Sequence, residues 1–273
     1  MIKDVKLVIC DIDWTLLSRN RRVLSPYTMR VIEELHKRNI MFGLASGRPL
    51  DEVKPVYESW GLSFPCDIII YMNGGGIWDE HAKKNEEFYK LKKAWIKEIV
   101  EMTKPLNVNP YMYYHGAIKA LKDDQTIQET AIRNNKKLII AKDVDDFANE
   151  DNGKIMIRVK KEEMESFEKY IKNYPSENYA EFKTQETLME FCDRRVSKGN
   201  ALVTYCKATN LPISKVMAFG DTTNDNLMIK NAGWGVCLLN GSSDTKAICD
   251  DITEFDVSND GFAHYIEKHI LNR

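Results

Sequence analysis

The chain lacks any cysteine pattern. Its six cysteines (10, 66, 192, 206, 237, 249) are scattered over 273 residues with no C-x-x-C pair. That argues against a disulfide framework or a thiolate zinc site and suits a reducing cytosol. The five histidines (36, 81, 115, 264, 269) show no ligand spacing, which leaves a histidine metal centre without support. No apolar run approaches the roughly 20 residues that cross a bilayer. The first such run is broken at once by Asp11 and Asp13, so a secretory pattern is missing too. A formal charge of −2 gives no electrostatic reason to expect nucleic acid or an anionic membrane as partner. The expectation is a cytoplasmic globular protein, long enough for one large domain or two ordinary ones.

What is present begins with Val5–Cys10, an apolar run that reads as a buried strand and delivers Asp11 and Asp13 at its end. Ser25-Pro26 is a cap followed by proline at the first helical position, and Val31, Ile32 and Leu35 share a face of the helix it opens. Ile40–Ala45 is a second unbroken run, ending in Ser46-Gly47-Arg48-Pro49, and Asp67–Met72 a third, closed by Asn73-Gly74-Gly75-Gly76. Continuous apolar strands alternating with helices indicate a parallel sheet covered on both faces.

From about residue 81 the texture changes. Tyr111–Tyr114 and Ala117–Leu121 flank His115-Gly116 as a tight hairpin. Lys154–Val159 alternates like a half-exposed strand, and Tyr179–Lys183 with Thr187–Phe191 suggests another hairpin. The α/β texture returns near residue 193, with Ser197 capping a helix from Lys198 and Val216–Phe219 running into Gly220-Asp221. The pattern predicts a discontinuous α/β core of residues 1–80 and 192–273, interrupted by an α+β domain at 81–191 with one solvated sheet face.

Polar residues gather where ligands bind in such sheets, at the carboxyl ends of strands. The clusters are Asp11/Asp13, Ser46-Gly47-Arg48, Ser197-Lys198 and Asp221-x-x-Asn224-Asp225. Brought to one edge, these carboxylates would crowd anionic oxygens together, which is costly without a cation. Oxygen ligands without His or Cys indicate magnesium, commonly shared with a substrate phosphate. Ser46, the backbone N–H groups that follow it, and Lys198 are donors for phosphate oxygens. The combination implies phosphoryl chemistry.

The quoted segments "DIDWTLL", "ASGRP", "VSKGNAL" and "GDTTNDNLMI" resemble, in order and spacing, the four motifs of the haloacid dehalogenase superfamily. The nearest likeness is to its Cof-type phosphatases of subclass IIB, which carry a large α/β cap after the third core strand. That resemblance implies a Rossmann-like core with an inserted cap, and a magnesium-dependent phosphatase acting on a small phosphorylated metabolite such as a sugar phosphate, with pyridoxal phosphate second. It implies Asp11 as nucleophile and Asp13 as proton donor and acceptor. Ser46, Gly47, Lys198 and Asn224 would hold phosphate, and Asp11, Asp13 (through its carbonyl), Asp221 and Asp225 the metal. In this motif Arg48 more often braces the loop than clamps phosphate.

Trp14 departs from the family pattern, which mostly has glycine there. Packing of the indole beside the loop is the expected arrangement; lining the entrance and reading the leaving group is the alternative. A phosphomutase on the same core, or a phospho-signalling or binding protein without turnover, remain as competing functions. Receiver domains of that kind are much shorter and carry adjacent acids near the first strand, unlike Asp11-x-Asp13. The sequence leaves monomer and homodimer equally open.

Overall fold

A computed structural model of the chain describes residues 4–18 and 23–272. It divides into two compact units, Met1–Phe88 with Ser197–Arg273, and Tyr89–Val196. The first segment runs β1 Leu7–Cys10, α1 Pro26–Lys37, β2 Met41–Ala45, α2 Leu50–Glu58, β3 Ile68–Tyr71, β4 Gly76–Asp79 and β5 Lys84–Glu87. The insert holds α3 Lys93–Thr103, β6 Pro110–Tyr114, β7 Ala117–Ala120, α4 Gln125–Arg133, β8 Leu138–Ile140 and α5 Val144–Phe147. It continues with β9 Ile155–Arg158, α6 Met164–Ile171, β10 Tyr179–Gln185 and β11 Leu188–Asp193. The chain then completes the first unit with α7 Lys198–Ala208, β12 Val216–Gly220, α8 Asn226–Asn231, β13 Trp234–Cys237, α9 Ser243–Lys246, β14 Asp251–Ile252 and α10 Gly261–Ile266.

The core sheet has the order β14-β13-β12-β1-β2-β3-β4-β5. Pairing from β14 through β3 is parallel, and β4 and β5 add on antiparallel. Because those last two strands extend the core sheet, the division between units falls at 88/89, beyond the 80/81 boundary read from sequence; the return falls at 196/197 in place of 191/192. Alternate residues explain the unbroken apolar runs. Val8, Cys10, Phe42 and Leu44 pack toward α1 and α10, while Leu7, Ile9, Ile68 and Ile70 pack toward α7. Both faces are buried, as a parallel sheet requires. Ser25 caps α1 by accepting from the Thr28 N–H at 2.9 Å, and Ser197 caps α7 by accepting from Asn200 at 2.9 Å.

This topology places the site. The chain leaves β1 toward β2 and β3 and returns on its other side at β12, so β1 is a topological switch point. Asp11, Ser46, Met72 and Asp221 each follow directly on the carboxyl end of one of four neighbouring strands. Strands about 4.8 Å apart therefore bring distant segments within side-chain reach.

The insert builds a sheet of order β10-β11-β9-β6-β7-β8. The β6–β7 hairpin turns on His115 (φ 47°) and Gly116 (φ 78°), the two positive angles of a type I′ turn. The expected solvated face is not found along β11, whose residues are all buried. Met189 and Phe191 pack with Ile99 and Phe167, whereas Leu188 joins Tyr111, Met156 and Ile127 of α4. Helix α4 supplies cover that the strand patterns did not reveal. Lys154 is buried likewise, 2.9 Å from Glu190. Lys119 is also buried; it bonds Asp146 and lies 4.3 Å from the centroid of the Tyr114 ring.

Candidate active site

Lys198 is the centre of the constellation. It is fully buried at the first turn of α7, with Nζ 2.5 Å from Asp11 Oδ1 and 2.7 Å from Asp225 Oδ1. Three sequence motifs separated by up to 214 positions thus meet on one ammonium group. Asp221 joins them: ligand oxygens of Asp11, Asp221 and Asp225 lie within 4.8 Å of one another. At that separation two carboxylates repel by about 3.5 kcal/mol at an effective dielectric constant near 20. One ammonium for three carboxylates leaves the cluster short of positive charge.

The titration behaviour follows. Burial pushes the Asp11 carboxyl well above the usual carboxylate range, with Lys198 opposing and Asp225 and Asp13 adding to the rise. Burial raises Asp221 as well, followed by repulsion from Asp11 and Asp225. The two carboxylates hold Lys198 protonated against its own desolvation.

The three acids differ in what their oxygens do. Asp225 is committed: Oδ1 accepts from Lys198, while Oδ2 accepts from the N–H groups of Asp221 at 3.0 Å and Thr222 at 3.3 Å. It fixes the loop that carries Asp221. Asp221 Oδ1 accepts from Thr15 Oγ1 at 3.0 Å. Among the described residues, Asp11 Oδ2 and Asp221 Oδ2 accept no hydrogen bond. Two open oxygens in an all-oxygen, charge-deficient cluster fit a hard divalent cation.

Asp13 stands apart. Its side chain is half exposed and is not part of the buried acidic cluster. Arg48 grips it with both prongs, Nε to Oδ2 at 2.9 Å and Nη2 to Oδ1 at 2.5 Å. Arg48 therefore braces motif one against motif two. Ser46 is buried, and its Oγ accepts the Arg48 N–H at 3.2 Å, so that backbone donor, read from sequence as open to phosphate, is already engaged. Asn224 donates through Nδ2 to Asn73 Oδ1 at 3.2 Å.

Trp14 does not pack as expected. It sits at φ 68° with its side chain exposed, and among the described residues its indole has no ring or hydrogen-bonding partner. Its backbone is held on both sides, N–H to Leu17 O at 2.7 Å and O from Asn240 Nδ2 at 2.8 Å. A left-handed non-glycine residue costs roughly 1–2 kcal/mol. Two residues escaped the sequence reading. Thr15 is buried and aims its hydroxyl at Asp221; Asn73 meets Ser46 and Asn224. A threonine two positions past Asp13, and an asparagine ending a core strand at the same sheet edge, were the available signals.

Residues 8–266 match the model of the haloacid dehalogenase-like hydrolases. The chain belongs to that family. Phosphatase YwpJ of Bacillus subtilis is 26% identical across 98% of this chain and 100% of its own length. The pyridoxal phosphate phosphatase YbhA of Escherichia coli is 21% identical across 97% and 99%. Among solved structures, the subclass IIB sugar phosphatase BT4131 superposes with a TM-score of 0.81 over 96% of this chain and 98% of that one, at 17% identity, a likeness of fold. This chain is a hydrolase of the family's phosphatase type, and no helix among its described residues is long and apolar enough to cross a membrane.

Proposed function

We propose that the protein is a magnesium-dependent phosphomonoesterase that hydrolyses a small phosphorylated metabolite through an aspartyl-phosphate on Asp11. The observation that carries this is the convergence of Asp11, Asp221, Asp225 and Lys198 in one buried cluster that is short of positive charge. Asp11 and Asp221 would hold the ion through their open oxygens, with the Asp13 carbonyl as the family resemblance implies and Asp225 behind them. When bound, magnesium neutralises charge on the phosphoryl oxygens.

Asp11 attacks phosphorus, forming one P–O bond as the bond to the leaving oxygen breaks, and the leaving oxygen takes its proton from Asp13. In the second half Asp13 accepts a proton from water, whose oxygen displaces Asp11 from phosphorus. Lys198 has three N–H bonds, and two reach Asp11 and Asp225. The third is free in number to stabilise a phosphoryl oxygen. Ser46 adds a hydroxyl and Asn224 its second amide N–H. Arg48 occupies both Asp13 carboxylate oxygens, so Asp13 meets the leaving oxygen and the water only when that pair loosens.

Sugar phosphates are the first substrates to test, and pyridoxal phosphate the second, in line with what BT4131 and YbhA are named for. The test is phosphate release from a panel of phosphorylated metabolites with magnesium, run beside an Asp11→Asn variant. Release by the native chain and its loss in the variant is the expected result. No release from any compound, or equal release from both proteins, would sink the reading.

A further inference from the structure

The turn that follows β3 is an unusual stretch of backbone. Met72, Asn73 and Gly74 take φ of 51°, 56° and 100° in succession. Left-handed angles are costly for residues with a side chain, least so for asparagine and aspartate. Glycine would satisfy the angle at position 73 more easily, so the asparagine there calls for a use of its side chain.

Asn73 is buried, and its N–H donates to Ser46 O at 3.0 Å. Its Oδ1 accepts from Asn224 Nδ2 at 3.2 Å. A Cβ at position 47 would lie 3.0 Å from that same Oδ1, so Gly47 makes room for the amide. The flanks of the turn are fixed as well. The Met72 N–H donates to Arg48 O at 3.0 Å. A Cβ on Gly74 would lie 2.2 Å from Ser197 O and 3.0 Å from Lys198 N, so the turn abuts the start of α7. One short turn therefore touches the segments of Ser46, Lys198 and Asn224.

An independent observation concerns the other end of the Asn224 amide. Because Asn73 presents an acceptor, it selects the NH₂ end of Asn224 and turns Oδ1 away. That Oδ1 is buried and has no hydrogen-bond partner among the described residues. A buried amide oxygen without a donor is costly, and such atoms mark places where a hydrogen-bond donor or a cation arrives in the working state.

We propose that Asn73 is a positioning residue for phosphoryl transfer, acting through Asn224. It sets the rotamer of the Asn224 amide and the spacing between the Ser46 and Asn224 segments. The inference rests on the phosphatase reading of the same site. It predicts coupling between Asn73 and Asn224 beyond any effect on folding.

The test is a double-mutant cycle of Asn73→Gly, which keeps the backbone angle and removes the acceptor, and Asn224→Ala. Both are assayed on the full chain with magnesium and para-nitrophenyl phosphate, with thermal unfolding recorded for each. Asn73→Gly should lower kcat about 10- to 100-fold, the range for residues that orient a reacting group from behind. KM and the unfolding midpoint should change little, and in the Asn224→Ala background the further loss should vanish. Asn73→Asp keeps the acceptor and the left-handed angle; its added buried charge should lower the unfolding midpoint, while the coupling to Asn224 is retained. Calorimetry with inorganic phosphate repeats the cycle without turnover. If the native chain binds phosphate but hydrolyses nothing, the catalytic reading fails while the cycle in phosphate affinity still judges Asn73. Additive losses in either readout, or an Asn73→Gly protein that is less stable yet equally active, would overturn the proposal.

Discussion

Among the described residues three lysines are buried beside carboxylates, and two of them, Lys154 and Lys198, have different surroundings. Lys154 in the insert faces the Glu190 carboxylate at 2.9 Å. Lys198 in the core faces Asp11 and Asp225, with Asp221 beside them and two carboxylate oxygens left open. A balanced buried pair does little net work for stability, since desolvation offsets attraction. An unbalanced cluster is worse than neutral for folding, and its persistence points to chemistry. The surplus of negative charge, more than burial itself, separates a site from an internal strut.

Substitutions can break that contrast. Replacing Lys198 with Met should remove turnover by about 1,000-fold or more, as for groups that stabilise charge on the reacting centre. The same change leaves Asp11 and Asp225 unpaired, and either measurement, phosphate release or urea unfolding, checks it. Lys154→Met should cost about 3–5 kcal/mol of stability by removing the buried ammonium that faces Glu190. The double change Lys154→Met with Glu190→Leu should recover most of that loss in urea unfolding, with turnover per folded molecule unchanged. If turnover collapses while the fold holds, the insert's pair reads substrate and the contrast fails.

Smaller effects sharpen it. Arg48→Ala removes a partly exposed pair, so stability should change by less than about 1 kcal/mol. Its kcat should fall about 10-fold because Asp13 loses its brace, with steady-state kinetics as the readout. Trp14→Gly should raise stability by up to about 1 kcal/mol, by relieving a left-handed tryptophan. Relative rates across the phosphate panel, if unchanged, would leave the exposed indole without a part in specificity.

Most of the core and its cluster were legible in the sequence because the physics there is local and repetitive. Unbroken apolar runs such as Ile40–Ala45 record a sheet covered on both sides, and each ends in a polar residue that the parallel register sets at one edge. Asp11 and Asp221 could be grouped on that ground, and Lys198 and Asp225 because they lie at helix starts beside those strand ends. Strands β4 and β5 were not legible. β4, Gly76-Ile77-Trp78-Asp79, is too short to show a period although Ile77 is buried, and β5, Lys84-Asn85-Glu86-Glu87, is polar and largely exposed. The burial of Lys154 was hidden too, because alternation predicts a solvated face and cannot foresee α4 or a carboxylate supplied from β11. Trp14 shows the same limit: a side chain's identity does not reveal that its backbone is left-handed.

The most direct measurement is to quench the reacting enzyme in acid and map the phosphoryl group by peptide mass spectrometry. One phosphoryl group on the peptide containing Asp11 in the native chain, and none in Asp11→Asn, is the expected result. A phosphoryl group carried elsewhere, or full turnover by the Asp11→Asn protein, would contradict the assignment of Asp11 as the nucleophile.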